Sequence, residues 1–224
     1  MGNSSLDRTL AILASLAALT VACMVVGIVS TRGTQDFFQT ARMIEAYGAY
    51  LATPAVSFGL RLNLGLDNLF MILYGAFFVV LTIRLRGLLD SRLLTVALGA
   101  MILTVLLDAI ENHHITTMVH SIENSLPLSP TDGDLQMIAS QVKFHASYFA
   151  VFLFSFGYLQ LGRLGRVIAV LLWLYIPCGI LISVVPVESA RLLVLGRTIF
   201  FVLAFVLSAI LFYSLPKKST QPVH

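Results

Sequence analysis

Six apolar runs, at about 9–30, 62–83, 93–115, 137–161, 167–185 and 191–215, occupy most of the chain. A hydrocarbon core of about 30 Å is crossed by about 20 helical residues, and each run is close to or above that length. Inside lipid, every backbone N–H and C=O must be satisfied within a helix or a closed barrel. The runs are continuous in Leu, Ala, Val, Phe and Ile instead of alternating with polar residues, which argues against barrel strands. The expected fold is therefore all-α, a polytopic bundle of six transmembrane helices forming a single membrane domain over residues 1–224. Composition agrees: 11% of the residues are charged, against about 25% in a soluble domain, and mean hydropathy is +0.92. The first run, from Thr9 to Val29, is longer than the apolar region of an ordinary signal peptide and reads as a retained span.

Orientation follows from the basic residues. Arg8, Arg84, Arg86, Arg92, Arg163, Arg166, Lys217 and Lys218 fall on one side, and Arg32, Arg42 and Arg191 on the other. This bias implies that both termini are cytoplasmic, and the expected location is the plasma (inner) membrane. The net charge of +3 belongs to these flanks, so no nucleic-acid partner is implied. The bilayer itself is the expected partner, and oligomeric state is left open.

Residues 35–51 form the longest connection. Phe37, Ala41, Ile44, Tyr47, Gly48 and Leu51 share one helical face, as in a helix lying on the outer surface. Thr131-Asp132-Gly133-Asp134 resembles an N-terminal capping box for span four, and Leu161-Gly162-Arg163-Leu164-Gly165 a tight turn between spans four and five. No internal repeat is evident, so the sequence does not point to an inverted-repeat transporter.

A charge at the bilayer centre costs about 2.5–3.5 kcal/mol even on lenient insertion scales. Asp67, Asp108, Glu111, Lys143, His145 and Arg197 all fall within the runs. Asp67 is 17 residues from Arg84, roughly 25 Å along a helix. Asp108 is 16 residues from Arg92, roughly 24 Å. His145 is 18 residues from Arg163, and Arg197 is 20 from Lys217, roughly 27 and 30 Å. Four spans thus carry charge at one level, in the outer third of the membrane or at its rim.

Phase sorts these residues further. Asp108, Glu111 and Asn112 share one stripe, and Asn63 and Asp67 lie on one face of span two with Tyr74. Gln141, His145, Tyr148 and Ser155 share a face of span four. Lys143 points away from that face, which implies a side chain snorkelling to the outer surface.

The constellation suggests a metal site. Glu111-x-x-His114 has the i, i+3 spacing by which helical bundles bring a carboxylate and an imidazole to one ion. Asp108, Glu111, His114 and His145, with Asp67 nearby, form a mixed nitrogen and oxygen set suited to a divalent zinc, iron or manganese ion. A metal-bound water could then hydrolyse a lipid or small molecule at the outer face. In this reading Asp67, Asp108, Glu111 and His145 are catalytic, while Asn112, Arg197, Tyr148 and Asn63 bind substrate. Paired carboxylates beside Arg and His also suit a proton- or ion-coupled carrier, and His114 with His145 is the minimum for a b-type haem. Alternatively the acids pair with Arg197 and His145 and simply hold the helices in register, as in a structural or interaction subunit.

The segments Asp67-Asn68-Leu69-Phe70 and Leu107-Asp108-Ala109-Ile110-Glu111-Asn112 resemble those of bacterial multi-span proteins with an Asp-x-x-Glu-Asn segment, a resemblance that implies no activity. The His-x-x-x-His segment of intramembrane metallohydrolases of the ceramidase and progestin-receptor superfamily does not occur in the chain.

Overall fold

A computed structural model describes residues 3–40, 42–182, 184–185 and 187–215. Ala41, Lys217 and Lys218 lie outside them. The described residues form seven α-helices: α1 (Asn3–Thr31), α2 (Ile44–Leu51), α3 (Pro54–Leu85), α4 (Ser91–Glu123), α5 (Pro130–Leu159), α6 (Gly162–Ile182) and α7 (Val187–Ser214). All but α2 are long and apolar enough to cross a membrane, so the chain is an all-α, multi-pass membrane protein. The shortest, α6, has 21 residues and spans about 32 Å; the longest, α4, has 33 and spans about 50 Å. The longer helices therefore overhang the hydrocarbon core.

Local chemistry sets several boundaries. Pro54 and Pro130 open α3 and α5, at first-turn positions where the missing N–H is not needed. The Asp90 carboxylate caps α4 by accepting from the backbone N–H of Arg92 and Leu93. Gly162 takes φ +84°, which lets the chain reverse within two residues between α5 and α6. The capping box expected at Thr131–Asp134 does not form. α5 has already begun at Pro130, Ser129 precedes it without a side-chain cap, and Asp132 turns to His114 instead.

The six long helices close into a ring: α1 packs on α3, α3 on α4, α4 on α5, α5 on α6, α6 on α7, and α7 returns to α1. The α1–α3 contact is close, since a Cβ on Gly59 would overlap the Thr31 hydroxyl. At one end of the ring lie Arg84, Arg86, Arg92, Arg163 and Arg166. The other end is covered by residues 32–40 and 42–53 and is called the cap end.

The interior has two halves. Towards the arginine end it is filled by rings, with Phe77 against Phe205 at 5.4 Å, Phe78 against Phe154 at 5.0 Å and Tyr158 against Phe212 at 6.3 Å. Towards the cap end it turns polar. The single surface helix expected over 35–51 is instead a 3-10 turn, Gln35–Phe38, followed by α2. The chain breaks between them because its carbonyls point inward: Gln136 Nε2 donates to Phe38 O at 2.8 Å, and Gln141 Nε2 to Gln39 O at 3.1 Å. Stacking of Phe37 on Tyr50 and of Phe38 on Tyr47 then fastens the turn to α2. Burial holds both tyrosine hydroxyls above the usual phenol range, so they remain donors. Tyr50 donates to Arg32 O at 2.8 Å.

Candidate binding cavity

A cavity of about 180 Å³ lies under the cap. Asp67, Asp108, Lys143 and Arg197 reach it from α3, α4, α5 and α7, and Gln35 and Gln39 close it from the cap. Its level is fixed by the helices. Asp67 lies six residues below Arg61, which pairs with Glu123 at the exposed cap end, a drop of about 9 Å.

Lys143 is the centre of the polar floor. Its ammonium donates to Asp108 Oδ1 at 2.8 Å and also pairs with Glu111. Tyr74 donates to Asp108 Oδ2 at 2.9 Å, and Gln136 Nε2 to Glu111 Oε1 at 3.3 Å. Glu111 is 1% exposed. A carboxylate so deeply buried persists only because each charge in the trio has an opposite charge and hydrogen bonds.

This arrangement corrects the expectation that Lys143 points outward. The buried stripe of α5 runs through Gln136, Ser140, Lys143, Ser147 and Phe154, whereas His145 is exposed and only bonds the Gln141 carbonyl of its own helix. The face was misjudged because α5 is apolar almost all round. Val142, Phe149 and Phe152 face outward while Ala150, Val151 and Phe154 face inward.

The other expected site residues divide between the cavity and its surroundings. Asn112 donates to Asp67 Oδ2 at 2.7 Å and to Asn68 Oδ1 at 3.0 Å, and accepts from Gln35 Nε2 at 3.0 Å. Asn63 donates to Gly33 O at 2.6 Å; its Oδ1, packed beside Gly27 of α1, has no partner among the described residues. Arg197 donates to Gln39 Oε1 and lies 4.0 Å over the Phe144 ring. Tyr148 stands beside the cavity, its hydroxyl pressed on Gly179 and its ring edge-on to Tyr175. His114 bonds Asp132 at 2.9 Å.

The four proposed metal ligands are thus not brought together. Asp108 and Glu111 converge on Lys143, which takes the place a metal cation would need. Neither imidazole joins them, and no group of three metal-ligating side chains occurs among the described residues. A haem between His114 and His145 meets the same obstacle, since one is held by Asp132 and the other faces outward.

Gln35 and Gln39 of the cavity, and Gln136 bonded to Glu111 beside it, are candidate-site residues that sequence reasoning missed. Gln35 and Gln39 sit in a surface connection, where glutamine is unremarkable. The only signal for Gln136 was its spacing of seven from Lys143, one buried stripe of a helix.

The wall beside α1 and α7 differs in character. Met24, Val25 and Ile28 line it from α1, and Phe201 and Val202 from α7. α1 buries Leu10, Ala14 and Ala17 in its first half, but Val25 is 46% exposed. α7 likewise buries Phe205, Leu211 and Phe212 towards the arginine end. Near the cap the two helices border the cavity with half-buried apolar residues and the exposed Val25. No protein-family model, curated protein or solved structure matches the chain.

Proposed function

We propose that this multi-pass membrane protein binds an amphipathic molecule in the cavity under its cap, with the polar end on the charged floor and the apolar end between α1 and α7. The observation that carries this reading is the continuity of one cavity from Asp67 and Arg197 to Val25 and Val202. Charged groups prefer a polar or hydrated partner, and the valines prefer acyl chains; an amphiphile satisfies both at once. With both termini in the cytoplasm, as the basic flanks favour, the cavity draws from the half of the bilayer facing away from the cytoplasm.

A phospholipid carrying a photoactivatable acyl chain tests the reading. Crosslinks are expected on residues 21–28 of α1 and 198–202 of α7. Labelling spread evenly over every outward-facing helix would overturn it.

Proton-coupled carriage is a second reading, favoured by Asp67, whose hydrogen bond comes from neutral Asn112 and which has no basic partner within 4 Å among the described residues. Against it stands the aromatic packing that fills the ring between the cavity and the arginine end.

A further inference from the structure

The cavity holds two charged side chains that have no counter-ion among the described residues, Arg197 and Asp67. Arg197 is 5% exposed, and its polar partners are Gln39 Oε1 and the Tyr148 side chain. The carboxylates of the floor are engaged elsewhere, Asp108 and Glu111 by Lys143. Asp67 presents the opposite case. Its Oδ2 accepts from Asn112, and its Oδ1 has no hydrogen-bond partner among the described residues. An orphaned buried acceptor is costly, and in a native site it marks a missing partner. Asp36 adds a further acid at the mouth.

We infer that the cavity recognises a zwitterionic head, a primary ammonium joined to a phosphate or carboxylate, with the ammonium donating to Asp67 and the anionic group held by Arg197. This rests on the amphiphile reading above and sharpens it to a head-group class. A primary ammonium has three donors, one of which meets Asp67 Oδ1. A quaternary ammonium has none, and a head with only a negative charge brings no cation to Asp67. The guanidinium offers paired donors to phosphate or carboxylate oxygens. The space is adequate, since a cavity of about 150 Å³ accepts a benzene-sized molecule.

Native mass spectrometry of the detergent-purified full chain, titrated separately with phosphatidylethanolamine, phosphatidylcholine, phosphatidylglycerol and free phosphoethanolamine, tests this. One phosphatidylethanolamine per chain is expected, held about ten-fold more tightly than the other two lipids. Asp67→Asn should remove that preference by weakening phosphatidylethanolamine retention without weakening phosphatidylglycerol retention, and Arg197→Met should weaken both. Asp67→Asn still offers Asn112 an oxygen acceptor, and an unchanged melting temperature confirms its fold. Equal retention of all three lipids, or a preference indifferent to Asp67→Asn, overturns the zwitterion and leaves the amphiphile cavity standing. Retention of free phosphoethanolamine as tightly as the lipid supports the zwitterion and overturns the amphiphile reading. Retention of none overturns both.

Discussion

Lys143 Nζ stands 2.8 Å from Asp108 Oδ1, and the same ammonium bridges to Glu111 one turn along α4. Removing one member of a buried ionic set strands the rest, at a cost of about 3–5 kcal/mol. Lys143→Met should therefore lower the melting temperature sharply in detergent, because two carboxylates then share the interior with no cation. The triple variant Lys143→Met, Asp108→Asn, Glu111→Gln should recover most of that loss. A single variant that melts with the unaltered protein would show that the trio is hydrated.

Two further ion pairs separate the effect of burial from that of charge. Arg84 and Asp7 meet at 2.6 Å with side chains only 12% and 10% exposed, while Arg61 and Glu123 meet at 3.1 Å with 52% and 35% exposed. Exposed pairs contribute about 0–1 kcal/mol. Arg84→Ala should destabilise the bundle clearly and Arg61→Ala hardly at all, as measured by unfolding in mixed micelles. Equal effects would contradict the burial difference.

How much of this could be read from the sequence depends on which physical constraint was acting. The spans were legible because lipid leaves a long apolar run no alternative to a helix. The common level of Asp67, Asp108 and Arg197 was legible because rise per residue is fixed. The facing of Lys143 was not, since α5 carries apolar residues on all sides and its neighbours α4 and α6 decide which face is covered. The break in the cap was also hidden. It depends on Gln136 and Gln141 reaching the Phe38 and Gln39 carbonyls, and backbone acceptors leave no trace in side-chain patterning.

The packing of Tyr148 gives a test independent of charge. A Cβ at Gly179 would overlap the Tyr148 hydroxyl and ring. Gly179→Ala should cost about 1–3 kcal/mol through overpacking. Adding Tyr148→Ala should relieve that overlap, so the double variant should lose less than the sum of the two single ones. Strict additivity would show that the contact is absent.

Topology can be settled by single cysteines in a background with Cys23 and Cys178 replaced by Ala. With both termini in the cytoplasm, Leu126→Cys, exposed beyond α4, should react in intact cells with a membrane-impermeant maleimide. Leu88→Cys, exposed between α3 and α4 at the arginine end, should react only after the cells are opened. The reverse pattern would invert the bundle and turn the cavity towards the cytoplasmic half of the bilayer. The residues that form the binding site would be the same, but the ligand would have to come from the inner leaflet.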